Sequence, residues 1–95
     1  MSLFGNSCDK YSQDKKQIAT EYLNNHLIVG AHISGLSQDE RKDVSSAILE
    51  ARDSDGKISL RKICNILHDL KWESHQIQEG DRKKILAIME KYFSE

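Results

Sequence analysis

An acidic turn near the middle of the chain is the segment whose residue types come closest to a metal site. When Gly56 is placed at position 6 of a calcium-binding EF-hand loop, Asp53 and Asp55 occupy positions 3 and 5. Position 1 then falls on Ala51, and position 12 falls on Lys62, a cation where the loop needs a bidentate carboxylate. We therefore expect no metal and no other cofactor. We interpret the segment as a turn in which Gly56 adopts a positive φ and the aspartates accept hydrogen bonds from backbone amides.

The spacing of histidines and cysteines argues against catalysis and against a bound transition metal. The four histidines show neither metal-ligand nor catalytic spacing: His26, His32, His68 and His75. Cys64 lies in an apolar helical pattern, which predicts a buried, unreactive thiol, whereas Cys8 lies in a polar stretch, which predicts an exposed one. The chain also lacks a nucleophile elbow, a glycine-rich phosphate loop and a HExxH motif. We expect no enzymatic activity, no catalytic residues and no small-molecule substrate.

Short basic clusters recur along the chain and are the candidate contacts to phosphate groups. They comprise Arg41, Lys42, Arg61, Lys62, Arg82, Lys83 and Lys84. Acidic residues lie beside them and no aromatic residues alternate with them, which favours a solvated surface over stacking on single-stranded nucleic acid. Convergence of these side chains on one side of a helical bundle is the alternative, and it predicts DNA binding.

The composition bounds the size and class of the protein. The 95 residues allow one small domain, and 14 Lys and Arg against 15 Asp and Glu give a formal charge of −1. This balance excludes a polybasic nucleic-acid binder. Apolar residues make up only 38% of the chain, so we expect a helical fold or self-association to compensate for a small core.

The sequence also bears on the compartment. Apolar runs such as residues 27–29 are far too short to span a membrane, and the N-terminus lacks a signal-peptide pattern. Two cysteines are too few for a disulfide scaffold. We therefore expect a cytoplasmic protein without a membrane partner.

Amphipathic segments predict a small all-α bundle of three to four helices. Residues 1–11 lack periodicity and are expected to form a flexible N-terminal arm, followed by a single helical domain at 12–95. The first helix is expected to begin near Ser12 or Asp14. Residues 27–35 are compatible with either helix or extended chain, because Gly30 and Gly35 punctuate this stretch.

Serine residues mark the start of the later helices. Ser37 and Glu40 have the spacing of a capping box before the second helix. Ser59 and Ser74 are expected to cap the third and fourth helices.

Apolar side chains on two adjoining faces of the last helix predict a homodimer. One small partner layer does not need so wide an apolar surface, so part of it is available to a second chain. The expected dimer or partner interface consists of Ile66, Leu70, Ile85, Ile88, Met89 and Tyr92.

Four segments, 18–23, 37–49, 55–70 and 85–93, carry a family resemblance. The first is an apolar and aromatic run, and the second is an acidic stretch followed by an apolar helical run. The third is a polar turn with a serine cap, a basic residue and aliphatic residues, and the fourth is an aliphatic helix with an aromatic end. In these features the chain resembles the small enterobacterial regulators of the YmgB/AriR and YcgZ type. The resemblance implies an all-helical homodimer that modulates two-component phosphorelay signalling, in biofilm formation or acid resistance, by contact with a signalling or transcription protein.

The sequence therefore predicts a non-enzymatic regulatory protein that acts by protein contact. Two alternatives stay open. One is a dimeric DNA-binding transcriptional regulator. The other is a TerB-like or degenerate EF-hand-like module, because residues 51–59 are similar to the A-x-x-A-D-G-x-I-S turn of TerB-like domains, although that family usually continues with a carboxylate where this chain has Arg61 and Lys62.

Overall fold

Helices and one small sheet make up this computed structural model, which describes residues 7–29, 33, 35–72 and 76–94. In chain order the elements are β1 (Lys15–Gln17), α1 (Thr20–Leu23), α2 (Gln38–Glu50), β2 (Lys57–Ser59), α3 (Leu60–Asp69) and α4 (Glu79–Ser94). A 3-10 turn, Ser7–Lys10, precedes β1, and a π-helical segment, Asn24–Val29, continues α1. The described residues are mostly helical, as predicted, but the all-α prediction misses the two-stranded sheet.

The sheet replaces the predicted start of the first helix. β1 and β2 pair in antiparallel orientation, with Lys16 opposite Ile58. α1 consequently begins at Thr20, and the predicted start near Ser12 or Asp14 is wrong. The partner strand lies far along the chain, so the local spacing of apolar residues holds no signal of this pairing.

The predicted capping box is confirmed at the start of α2. Ser37 Oγ accepts a hydrogen bond from the backbone N–H of Glu40 at 3.2 Å, and Glu40 Oε1 accepts one from the backbone N–H of Ser37 at 2.9 Å. These bonds satisfy amides that have no partner within the helix. Val44 and Ile48 then point into the core and are fully buried.

The acidic turn before β2 has the predicted conformation. Gly56 has φ of 77°. Asp53 Oδ1 accepts hydrogen bonds from the backbone N–H groups of Asp55 at 2.9 Å and Lys57 at 3.0 Å. The bond from Lys57 is the main cause that lowers the pKa of Asp53, and Lys15, whose Nζ lies 3.2 Å from Asp53 Oδ2, contributes. Its carboxylate therefore holds the turn and, through Lys15, the neighbouring strand.

α3 forms the centre of the core. Ser59 Oγ accepts a hydrogen bond from the backbone N–H of Lys62 at 3.0 Å, which confirms the predicted cap. One face of the helix is buried against the Ser7–Lys10 turn, α2, β2 and α4. The buried apolar residues of the described chain are Cys8, Ile18, Leu23, Leu27, Ile28, Ile33, Leu36, Val44, Ile48, Ile58, Leu60, Ile63, Cys64, Leu67, Ile77, Ile85, Leu86 and Met89.

α4 begins at Glu79, later than predicted, and Ser74 lies outside the described residues. Lys71 and Gln76 form an isolated antiparallel bridge, so the backbone at Gln76 is extended and α4 begins only after it. α4 packs on α3, and within the described residues no helix combines the length and apolar character needed to cross a bilayer.

The prediction of an exposed Cys8 thiol is wrong. Cys8 is 1% exposed and forms a disulfide with Cys64, which lies 56 residues further along the chain. Arg61 fixes the same segment, because its guanidinium donates hydrogen bonds to the carbonyl oxygens of Asp9 at 2.8 Å and Tyr11 at 2.9 Å. The sequence did not predict that this segment packs on the core, because Cys8 is the one apolar residue of the Ser7–Lys10 turn and its neighbours are polar.

The turn generates a prediction about glycine. Gly56→Ala places a Cβ atom at a positive φ and is expected to lower the free energy of unfolding by about 1–2 kcal/mol. Gly80→Ala is the matched control, because it lies in α4 and its added Cβ meets nothing within 4 Å. The free energy of unfolding of Gly80→Ala, measured with urea, is expected to equal or exceed that of the wild type. Equal midpoints for Gly56→Ala and the wild type would contradict the proposed role of Gly56.

Candidate functional site

A groove between α2 and α3 is the best candidate for a contact surface. It has a volume of about 370 Å³. Its lining consists of Ala47 and Glu50 of α2 with the C-cap residue Ala51, and Ile66 and Asp69 of α3 with the C-cap residue Leu70. The four apolar side chains are half-buried, whereas both carboxylates are exposed. The groove therefore combines an apolar floor with a negatively charged rim.

The two helices build this groove with the same spacing. On each of them, two apolar residues four positions apart share a face, and an acidic residue lies one position before the second of them. The small side chains of Ala47 and Ala51 leave room opposite Ile66 and Leu70, which creates the depression. Each helix therefore contributes one carboxylate to the acidic rim, Glu50 from α2 and Asp69 from α3.

A hydrogen bond between side chains fixes the two helices relative to each other. Trp72 Nε1, just beyond α3, donates to Asp43 Oδ2 on α2 at 2.9 Å. The indole also packs on the core, where an amphipathic ring closes its edge. Asp43 lies one helical turn before Ala47, so this bond supports the α2 side of the groove.

The predicted interface residues fall into two groups. Ile85 and Met89 have no exposed surface, because the chain buries them in its own core, so in this fold they present no side-chain surface to a partner. Ile66 and Leu70 line the groove, and Ile88 is half-buried on α4. The wide apolar surface of α4 is therefore covered largely within one chain, which removes the main argument from sequence for a dimer.

Tyr92, the remaining predicted interface residue, is engaged within the chain. Its hydroxyl donates to the carbonyl oxygen of Gln17 at 2.6 Å, and its ring lies 4.2 Å from that of Tyr22. Lys16 Nζ lies 4.6 Å from the same ring centroid and donates to the Tyr92 carbonyl oxygen at 2.8 Å. These contacts tie the end of α4 to β1 and α1.

The arginines among the predicted phosphate contacts bind the backbone of their own chain. Each guanidinium donates to at least one carbonyl oxygen at 3.4 Å or less. The bonds run from Arg41 to Ser37, from Arg61 to Asp9 and Tyr11, and from Arg82 to Ile77. These bonds order the chain and use one or two nitrogens of each guanidinium.

The lysines of the same set are spread over three helices. Lys42 on α2 and Lys84 on α4 are exposed, and Lys83 forms an exposed pair with Glu79 at 3.5 Å. Lys62 lines a second groove of about 370 Å³ together with Arg61 and Lys15. Arg61 and Lys62 are already neighbours in the sequence, so this groove joins them to Lys15 and to no residue of the other basic clusters.

A cluster that sequence reasoning missed lies on the other side of α3. The Sγ atoms of Cys8 and Cys64 and a ring nitrogen of His68 all lie within 4.8 Å of one another. Burial is the main cause that lowers the pKa of His68, and the charge of Arg82 lowers it further, while Asp69 and Glu79 act in the opposite direction. The i, i+4 spacing of Cys64 and His68 was visible in the sequence, but the approach of Cys8 was not.

Comparison with family models, with curated proteins and with solved structures gives no match for this chain.

His68 generates a prediction about pH. The unfolded chain protonates this ring near its ordinary pKa of 6.5, and the folded protein does so only at lower pH. Below about pH 6.5 the unfolded state therefore binds more protons, and the free energy of unfolding falls as the pH falls. His68→Gln is expected to reduce this slope, measured by urea unfolding between about pH 5 and 8. If the free energy of unfolding of His68→Gln depended on pH as that of the wild type does, this dependence could not be attributed to His68.

Proposed function

We propose that this protein is a non-enzymatic regulator whose α2–α3 groove binds a short basic amphipathic helix of a partner protein. The observation that carries the proposal is the apolar floor of Ala47, Ala51, Ile66 and Leu70 within an acidic rim. A helix that binds such a groove buries apolar side chains at i, i+3 or i+4 spacing. Its flanking Lys or Arg side chains then face the carboxylates.

The size and shape of the groove favour side chains of a protein over a metabolite. Its volume of about 370 Å³ lies near the lower limit for small-molecule sites, which also enclose most of their ligand. A row of aliphatic side chains needs no such enclosure. Each apolar Å² that a partner removes from water contributes roughly 25 cal/mol, so a few inserted side chains supply a moderate affinity.

The charges define which partner binds. Glu50 and Asp69 are exposed, so a basic partner gains from attraction during encounter, and this gain decreases as salt screens the charges. An acidic partner meets repulsion from both helices. Charge thus supplies specificity while the apolar floor supplies affinity.

Regulation by protein contact agrees with the resemblance to the two-component connectors of biofilm formation and acid resistance. The proposed partner is a signalling or transcription protein in the cytoplasm. DNA binding is the weaker candidate, because the formal charge is −1 and the predicted phosphate contacts are spread over three helices. A second copy of the chain is the competing occupant of the groove, through Ile66 and Leu70.

Labelled peptides test the proposal directly. A helical peptide with a leucine face flanked by lysines is expected to bind the wild type, and its affinity is expected to fall with added salt. Ala47→Arg fills the groove and adds repulsion, so the Kd is expected to rise at least about tenfold, a loss of about 1.4 kcal/mol. Ala87→Arg is the matched control, because Ala87 is an exposed alanine of α4 outside the groove. Fluorescence anisotropy of the labelled peptide gives the Kd for each variant.

The charge requirement has its own test. Replacing both Glu50 and Asp69 by Lys is expected to reverse the charge preference of the groove. A peptide with glutamates in place of lysines should then bind more tightly than the lysine peptide. Equal binding of the two peptides to the wild type, or equal effects of Ala47→Arg and Ala87→Arg, would contradict the proposal. A dimer in sedimentation velocity that dissociates only in Ala47→Arg would assign the groove to self-association instead.

A further inference from the structure

The cluster of Cys8, Cys64 and His68 brings together three side chains of metal-binding type from two separate elements. Cys64 and His68 lie four residues apart on one face of α3, and Cys8 reaches them from the Ser7–Lys10 turn. Their sulfur and nitrogen atoms all lie within 4.8 Å of one another. The sulfur atoms are joined as a disulfide, so this form has no thiolate to offer a cation.

We propose that reduction of the Cys8–Cys64 disulfide converts this cluster into a binding site for a thiophilic divalent cation of the zinc type. The proposal stands apart from the α2–α3 groove. Reduction by a phosphine supplies two electrons to the disulfide. The S–S bond breaks, each sulfur receives one proton from water, and phosphorus takes the oxygen to become a phosphine oxide. Zn²⁺ then displaces the two thiol protons and accepts two thiolates and one imidazole nitrogen as ligands.

The distances suit a tetrahedral ion. Zinc binds cysteine sulfur at about 2.3 Å and histidine nitrogen at about 2.0–2.1 Å, so ligand atoms lie about 3.5–3.8 Å apart at the corners of a tetrahedron. The three ligand atoms already lie within 4.8 Å of one another, and the Cα atoms of Cys8 and Cys64 are 5.5 Å apart. Once the disulfide is broken, rotation about the side-chain bonds of the two cysteines is expected to separate the sulfurs.

Charge and burial favour the ion over a bare pair of thiolates. Cys8 and Cys64 are 1% and 0% exposed, and two negative charges at such positions are costly. A divalent cation with two thiolates is neutral as a unit, so it avoids this cost. His68 is half-buried, which provides a route from solvent and leaves room for a fourth ligand from outside the cluster.

The disulfide and the ion exclude each other, because both need the same two sulfurs. In a reducing compartment, where protein disulfides are usually transient and redox-sensing, the ion-binding form is expected to dominate. In an oxidising environment the disulfide closes the site. Cation binding is thereby coupled to the redox state of the surroundings.

Titration of the phosphine-reduced protein with Co²⁺, a coloured substitute for Zn²⁺, tests this inference. One Co²⁺ per chain is expected to bind, with thiolate-to-cobalt charge-transfer absorption and the visible bands of tetrahedral coordination. Added Zn²⁺ is expected to displace it. The oxidised protein is expected to show neither absorption nor displacement.

Histidine variants keep the test independent of folding in the core. His68→Gln removes a ligand and retains both cysteines, so its affinity is expected to fall by more than about tenfold, since even outer-shell partners contribute that much. His26→Gln is the matched control, because His26 is exposed, stacks on Tyr22 and is not a member of the cluster. Circular dichroism checks that both reduced variants are folded. Absent binding to the reduced wild type, absorption without thiolate charge transfer, or equal affinities of the two variants would overturn the proposal.

Discussion

The buried face of α3 is the constraint on which the rest of the structure depends. Leu60, Ile63, Cys64 and Leu67 lie on this face, and the N-terminal turn, β2, α2 and α4 contact the helix around it. A chain of 95 residues has few apolar side chains, so one central helix shared by several elements makes economical use of them. The disulfide and the hydrogen bonds of Arg61 extend this arrangement to residues 8–11. β1, which has no apolar run of its own, is held by its pairing with β2.

α3 also separates the two proposed sites. Ile66 follows Cys64 by two residues, which places it about 200° further around the helix axis. The Cys8–Cys64–His68 cluster and the α2–α3 groove therefore lie on different sides of one rigid element. A cation at the cluster and a peptide at the groove touch different side chains, so either proposal can fail without the other. The same helix gives each site a fixed backbone, which is the condition for short-range geometry to persist in solution.

The local signals in the sequence were reliable where neighbouring residues alone decide the structure. The capping box of Ser37 and Glu40 and the cap at Ser59 involve bonds that span three residues. The positive φ of Gly56 and the aspartate bonds of its turn are equally local. The apolar face of α3 also followed from its helical spacing. The α2 side of the groove was harder to see, because Ala47 and Ala51 become a surface only when Ile66 and Leu70 lie opposite.

The amino-acid sequence by itself determined the caps, the acidic turn and the helical stripe at the centre of the core, because these depend on residues within one or two helical turns. The tertiary structure decided the pairing of β1 with β2 and the burial of Ile85 and Met89 within a single chain. It also decided that Cys8 meets Cys64 beside His68. Each of these results from a contact between residues far apart in sequence, and such a contact leaves no periodic trace in either partner segment. The two candidate sites are of this kind, so their residues were visible in the sequence while their proximity was not.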